Sequence, residues 1–255
     1  MKIAVSACLL GHNVRYDGGD KHNRFVTHEL GRYASFVPFC PEAIAFGTTR
    51  PSVKLVEKNE KILVITNEGG INLSKELLDK ANEELQKIID ANLSGIIFKA
   101  RSPSCGLGSA KVYQNSSLID SSADGIFAAL CREKFPLLPM EDESGLEDEN
   151  RRENFIVHLF AYNSIEKLKE KNSMHSLEAF HAKNKFLLQA KDEKLYRLLK
   201  EIVLNHKKLP FAELFSSYEH NFKVAIAKKS SILLNQTIAE AYLREVELKN
   251  REKKC

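Results

Sequence analysis

Short apolar runs alternate with longer amphipathic stretches over the first part of the chain. The short runs predict β-strands at residues 2–7, 35–39, 61–65, 95–99 and 135–139. The longer stretches predict helices at residues 23–33, 74–91 and 123–134. This alternation predicts an α/β domain with a mostly parallel, Rossmann-like sheet flanked by helices.

From residue 151 onward the apolar positions follow a helical period. They predict helices at about 152–170, 173–190, 192–205, 210–229 and 231–252. The acidic stretch 141–150, between the two patterns, is expected to be an exposed connection. We therefore predict an α/β domain over residues 1–150 and a smaller all-helical domain over residues 151–255.

The charge balance differs between these two parts. Residues 1–150 carry 17 Lys and Arg against 21 Asp and Glu, whereas residues 151–255 carry 21 against 13. A basic domain attached to a mildly acidic one suggests a polyanionic partner. A solvated helical surface explains the same charges equally well, so charge alone leaves both interpretations open.

Two further features exclude whole classes of protein. No apolar run approaches the ~18 residues that a membrane span requires, so we expect a soluble, cytoplasmic protein. The 5 cysteines are odd in number and widely spaced, and the chain starts like a first strand instead of a signal peptide. We therefore expect reduced thiols and no disulfide framework.

Three of the cysteines follow predicted strands. Cys8 ends the first strand, Cys40 ends the second, and Cys105 follows the strand at 95–99 within a tight Ser-Pro-Ser-Cys-Gly segment. Because the loops after parallel strands converge, the three thiols are expected to meet at one rim of the sheet. Cys131 is expected to be a core residue of a helix, and Cys255 to be incidental.

Three converging thiolates are typical ligands of a soft metal centre. With no obvious fourth cysteine, they fit a [4Fe–4S] cluster with one open iron better than structural zinc, which closes its tetrahedron. Burial of each cysteine as a small core residue is a common alternative, and the residues alone slightly favour it. A zinc protein also stays open.

Polar residues adjoin these cysteines. Glu42 could position water or move a proton beside a metal, and Ser102 and Ser104 could hydrogen-bond a substrate or water. Serines also cap turns, which is their alternative role. The candidate contacts for an anionic or planar substrate are Arg15, Tyr16 and Asp17, although an Asp-Gly-Gly sequence is also simply a turn. Lys99 and Arg101 could neutralise a substrate phosphate or, alternatively, the negative charge of the cluster itself.

Three separated motifs thus occur in order: Ser-Ala-Cys-Leu-Leu-Gly at 6–11 with Arg-Tyr-Asp-Gly at 15–18, Cys-Pro-Glu at 40–42, and Ser-Pro-Ser-Cys-Gly at 102–106. In these motifs the chain resembles the thiouracil desulfidase family over about residues 1–160. The resemblance implies an α/β domain with a [4Fe–4S] cluster held by Cys8, Cys40 and Cys105. It further implies a catalytic group of Glu42, Ser102 and Ser104.

The helical part carries a Phe-His-Ala-Lys-Asn-Lys element at 180–185. It resembles a second family, formerly of unknown function, that is often fused to the first. Fused proteins of this kind resemble desulfidases that act on 4-thiouridine in transfer RNA. The resemblance implies that the helical domain binds the RNA, and the candidate contacts are His181, Lys183 and Lys185.

The leading hypothesis is therefore an iron–sulfur desulfidase acting on 4-thiouridine in transfer RNA. Two alternatives stay open. One is a desulfidase of free thiolated nucleobases or nucleotides such as thiouracil. The other is a non-catalytic iron–sulfur sensor or RNA-binding regulator.

Overall fold

A computed structural model of the protein describes residues 1–205, 209–230, 237–238, 241–242 and 244. The chain divides into two compact units, Met1–Leu146 and Glu147–Cys255. The elements of the first unit are, in order, β1 (Lys2–Ser6), β2 (Ser35–Phe39), α1 (Pro41–Phe46), β3 (Val53–Lys58), β4 (Lys61–Thr66), α2 (Ser74–Asp90), β5 (Gly95–Phe98), β6 (Ala110–Gln114), β7 (Ser117–Ala123), α3 (Ile126–Lys134), β8 (Met140–Asp142) and α4 (Glu143–Glu147).

The first sheet is parallel, with the strand order β2, β1, β5, β8. The apolar residues of β1 and β5 are buried on both faces of the sheet, which explains why these strands are continuous apolar runs. Pro38 lies in β2, an edge strand, where a missing N–H costs no ladder bond on the open side. Phe127 of α3 packs against Phe39 and Phe98 of the sheet.

A second, mixed sheet follows the order β4, β3, β6, β7, and three of its strands are absent from the prediction. Both hairpins turn through residue pairs with positive φ, Asn59-Glu60 and Asn115-Ser116. The inner face of this sheet forms a core with Leu77 of α2. The predicted α/β fold with a mostly parallel first sheet and a helical second part is confirmed, and the second sheet adds to it.

Three local predictions for the first unit are wrong. The predicted helix at 23–33 is a π-helical turn, Phe25–Glu29, followed by a 3-10 turn, Leu30–Arg32, where Gly31 weakens helix formation. The last strand begins at Met140, after the predicted range. The stretch 141–150, expected to be an exposed connection, begins with buried residues of β8. Asp142 can be buried there because its carboxylate accepts hydrogen bonds from the Gly145 N–H (2.8 Å) and the Ser109 hydroxyl (3.0 Å).

The second unit is helical over its described residues. Its helices are α5 (Glu149–Lys169), α6 (Met174–Lys183), α7 (Lys185–Lys191), α8 (Glu193–Leu204) and α9 (Phe211–Ile226). The predicted helix at 173–190 is split at the buried Asn184, whose amide donates to the Phe180 carbonyl (2.8 Å) and accepts from the Tyr242 hydroxyl (2.9 Å). The predicted helix at 231–252 lies largely outside the described residues, as does Cys255. None of the described helices combines the length and apolar character needed to cross a bilayer.

Candidate active site

Three cysteines lie at the carboxyl edge of the first sheet. Cys8 lies in the 3-10 turn Ala7–Leu10 after β1, and Cys40 lies between β2 and α1. Cys105 lies in the loop after β5. Since β2, β1 and β5 are neighbours, their ends adjoin, and the three side chains line one cavity of about 470 Å³. Chain connections leave β1 in one direction and β5 in the other, so this is also the switch point where open α/β sheets bind ligands.

The three thiols form no disulfide. Burial raises the pKa of Cys8 to about 11 and the pKa of Cys105 well above its usual range, and repulsion from Cys40 adds to both. Burial also raises the pKa of Cys40. Three adjoining thiolates become favourable only where a positive group offsets their charge, so the donor set fits a cationic, sulfur-binding group.

The backbone of the Cys105 loop is fixed by Ser102. The hydroxyl of Ser102 accepts the N–H groups of Cys105 (3.1 Å) and Ser104 (3.3 Å), and its carbonyl accepts the N–H of Gly106 (2.9 Å). A Cβ at Gly106 would lie 2.9 Å from both the Ser102 carbonyl oxygen and the Ala110 nitrogen. The glycine is therefore required for the close approach of these two segments.

The start of α3 supports the same loop. The N–H groups of Ile126 and Phe127 donate to the carbonyls of Pro103 (3.0 Å) and Ser104 (2.8 Å). A Cβ at Gly125 would lie 2.5 Å from the Ser104 carbonyl carbon, so only glycine fits between helix and loop. The cysteine loop is thus held by backbone contacts on both sides.

Glu42 lies in the first turn of α1 and is bound through both carboxylate oxygens. Its Oε1 accepts hydrogen bonds from the hydroxyls of Ser102 (3.2 Å) and Ser104. Its Oε2 pairs with Nη2 of Arg50 at 3.1 Å. The three residues predicted as a catalytic group therefore form one hydrogen-bonded cluster in the wall of the cavity.

The cavity wall is rich in cations. Lys99 pairs with Glu143, and Arg15 pairs with Asp17 (3.3 Å) and lies 5.3 Å from the ring centroid of Tyr16. Of the predicted substrate contacts, Arg15, Tyr16, Lys99 and Arg101 line the cavity, whereas Asp17 does not. Four of the lining cations have no carboxylate partner among the residues that the structure describes: Lys21, Lys54, Arg101 and Lys111.

The sequence prediction missed the wall that the second sheet contributes. Lys54 of β3 lies 6.0 Å from the ring centroid of Tyr113 on β6, and both line the cavity together with Lys111. Arg50, in the segment before β3, was missed as well. The unusual backbone of Arg101, with a φ of 59°, also marks this region, because residues other than glycine rarely adopt it.

The remaining predicted residues lie apart from this cavity. Cys131 is fully buried in α3, as expected, and burial raises its pKa to about 12. His181 is only 8% exposed, with its Nδ1 at 3.0 Å from the Tyr218 hydroxyl and its ring stacked on Tyr196. The structure therefore places His181 in the core of the helical unit, whereas Lys183 and Lys185 are exposed.

Two family models match this chain, one in each of its two units. Residues 185–241 match the model of a family described only as a protein of unknown function, DUF1722. A solved [4Fe-4S]-dependent thiouracil desulfidase, TudS, is 31% identical over a match that covers 58% of this chain and 93% of that chain, with a TM-score of 0.45. No significant match occurs among curated proteins. Residues 3–143, more than half of the chain, match the model of 2-thiouracil desulfurase, and the chain therefore belongs to the 2-thiouracil desulfurase family.

Proposed function

We propose that this chain is an iron–sulfur desulfidase that converts 4-thiouridine in transfer RNA to uridine. The observation that carries the proposal is the cavity in which three free cysteines adjoin Glu42 and the two serines bound to it. Family membership supports removal of sulfur from a thiolated pyrimidine. The charges of the cavity and of the second unit support the RNA substrate.

Cys8, Cys40 and Cys105 would hold a [4Fe–4S] cluster and leave one iron without a cysteine ligand. Thiolates are the usual ligands of such clusters, and among the described residues no fourth cysteine lines the cavity. Structural zinc closes its tetrahedron with four protein ligands, so three cysteines fit the cluster better than zinc. When bound, the cluster supplies a Lewis acid with affinity for sulfur.

Glu42 and the serines supply the acid–base chemistry. Oε1 of Glu42 can take a proton from the water that attacks the ring carbon, while the hydroxyls of Ser102 and Ser104 orient the water. Overall, water and a C=S group give a C=O group and hydrogen sulfide. Atoms and charge balance without an electron donor, so the reaction is a hydrolysis.

The unpaired cations of the cavity favour a phosphorylated substrate. Lys21, Lys54, Arg101 and Lys111 give the cavity a positive charge that a neutral free base cannot use for binding. A nucleotide or an RNA strand brings phosphates that offset these charges. The lining cations therefore support a nucleotide unit over a free nucleobase as the substrate.

The second unit favours RNA over a free nucleotide. Residues 151–255 carry an excess of basic residues, 21 against 13 acidic ones. Lys183 and Lys185 are exposed at the junction of α6 and α7, beside Phe186, which is 75% exposed. Basic side chains beside an exposed aromatic ring are typical of surfaces that bind single-stranded nucleic acid.

The second candidate is a desulfidase of free thiolated pyrimidines. The description of the family, which names 2-thiouracil, favours it. The two candidates share the cysteines, Glu42 and the serines. They differ in whether the helical unit contributes to turnover.

The test uses the full-length protein with its cluster reconstituted under anaerobic conditions. Thiolated transfer RNA, 4-thiouridine monophosphate, 4-thiouridine and 2-thiouracil are each incubated with it, and loss of the thiocarbonyl absorbance is followed. Glu42→Gln serves as the control with strongly reduced activity. We expect turnover of the RNA at low ionic strength that weakens steeply with added salt.

The outcomes separate the candidates. Equal turnover of the free nucleotide and the RNA, at any salt concentration, would support the second candidate. No loss of absorbance from any substrate, with the cluster intact, would refute both.

A further inference from the structure

Arg50 is a buried arginine in the wall of the cavity, only 8% exposed. Its Nη1 donates to the carbonyls of Val14 and Gly47, each at 2.9 Å. Its Nη2 donates to Oε2 of Glu42 at 3.1 Å. The guanidinium thus spans two loops and one helix, which a single ammonium could not do in the same geometry.

This ion pair is a weak source of stability. Burying both charges costs solvation energy, and apolar replacements of buried pairs are often neutral or stabilising. The ion pair does fix the orientation of the Glu42 carboxylate, because Oε2 is bound to Arg50. Oε1 is then the oxygen that faces the hydroxyls of Ser102 and Ser104.

Arg50 also fixes the loop on the other side of the cavity. Its backbone N–H donates to the carbonyl of Tyr16 at 3.1 Å, in addition to the bond from its side chain to Val14. The Val14 carbonyl in turn lies 3.8 Å from the sulfur of Cys40. One residue therefore sets the distance between Glu42 and the loop that carries Arg15 and Tyr16.

We propose that Arg50 is a positioning residue for Glu42: it holds the carboxylate so that Oε1 points at the serines and at the substrate. This inference rests on the proposed function, since it concerns how Glu42 is aligned for the reaction. Direct binding of a substrate phosphate by Arg50 is the competing role. The near-complete burial of its side chain, 3% exposed, and its three committed hydrogen bonds favour positioning.

The first test compares Arg50→Met and Arg50→Lys with the wild-type holoenzyme. For Arg50→Met we expect kcat to fall about 10- to 100-fold with little change in KM, because general acid–base catalysis is typically worth that much or more. Arg50→Lys should recover part of the loss. Arg101→Met is the matched control, since it removes an exposed cation of the same cavity and should change KM more than kcat.

The second test asks whether Arg50 acts through Glu42. In the Glu42→Gln background, Arg50→Met should lower kcat no further. The thermal unfolding midpoints of the reconstituted proteins give a readout without turnover. The double variant should unfold at a higher temperature than Arg50→Met alone, because the neutral glutamine leaves no unpaired buried charge.

Three results would overturn the inference: a rise in KM with unchanged kcat in Arg50→Met, additive losses in the double variant, or additive shifts in the unfolding midpoint. If the wild-type protein turns over no thiolated pyrimidine, the proposed function fails. The unfolding midpoints still decide whether Arg50 and Glu42 are coupled.

Discussion

The two units of this chain place their polar residues in opposite ways. In the α/β unit three of the proposed cluster ligands and catalytic residues, Cys8, Cys105 and Ser104, are buried, and backbone hydrogen bonds fix the loop that carries Ser104 and Cys105. In the helical unit the buried His181 contacts Tyr218 and Tyr196 within the core, and the basic residues Lys183 and Lys185 are exposed. Chemistry that breaks a bond needs fixed geometry, whereas attraction of a polyanion needs accessible charge.

Removal of a cavity cysteine should have the largest effect. In Cys105→Ala we expect loss of the cluster, and with it a loss of activity of at least about 100-fold, because the cluster would keep only two cysteine ligands. Iron and sulfide content and the visible absorbance of anaerobically prepared protein are the measurements. The matched control is Cys131→Ala, a fully buried cysteine of α3 outside the cavity. Equal loss of iron in both variants would contradict the assignment of the three ligands.

Displacement of the cysteine loop should have the next largest effect. An added Cβ in Gly125→Ala would meet backbone atoms of Ser104 and Cys105 at 2.5–2.9 Å, so the loop must shift. A shift on the order of 1 Å can cost about 100-fold in rate, and we expect a loss of 10- to 100-fold together with a lower iron content. Gly31→Ala is the control, because its Cβ would meet its neighbours at an ordinary 3.6 Å. Full activity in Gly125→Ala would show that the loop need not be rigid.

Reversal of exposed charge on the helical unit should act on RNA binding alone. We expect Lys183→Glu with Lys185→Glu to weaken binding of transfer RNA about 10-fold or more at low salt and to reduce the slope of log affinity against log salt by about 1.5. Turnover of 4-thiouridine monophosphate should be unchanged. The same charge change in Lys58→Glu with Lys61→Glu, at an exposed hairpin of the α/β unit, is the control. If both double variants bind transfer RNA equally weakly, the effect comes from the net charge of the protein and not from the surface around Lys183 and Lys185.

The parts of the site that could be predicted are the local ones. A cysteine that follows a predicted strand can be placed at the carboxyl end of that strand, as at Cys8 and Cys40. The loop 102–106 could also be predicted, because its serines, proline and glycine are all residues that favour turns and are adjacent in the chain. In each case the residues that determine the structure are neighbours in the chain.

The parts that were missed depend on distant residues. Of the 7 residues of β7, none is buried, so the strand lacks the apolar alternation that marks one, and its hairpin turns through Asn115-Ser116 without a glycine. Because this sheet was not predicted, Lys54 and Lys111 could not be placed at the cavity from the sequence. The burial of His181 depends on Tyr218, 37 positions later in the chain, and no local pattern reveals that contact.

The smallest effect on function is expected at Lys191. This lysine is buried in the helical unit and lies outside the cavity, so its charge takes no part in the reaction. Burial lowers the pKa of Lys191 to about 8 from an ordinary value near 10.5, and its Nζ donates to Oδ1 of Asn154 at 3.1 Å. Between these two pH values the unfolded chain binds more protons than the folded one, so the free energy of unfolding should rise as pH increases from about 8 to 10.5. Below pH 8 the buried charge costs at most about 3 kcal/mol. Lys191→Met should therefore be more stable than wild type at pH 7 and should lose this rise, since Asn154 Oδ1 keeps the Ser230 N–H as a donor. Urea unfolding at a series of pH values measures the free energy of unfolding of both proteins. If this free energy has the same pH dependence in the wild type and in Lys191→Met, the charge of Lys191 is solvated and the helical unit does not enclose it.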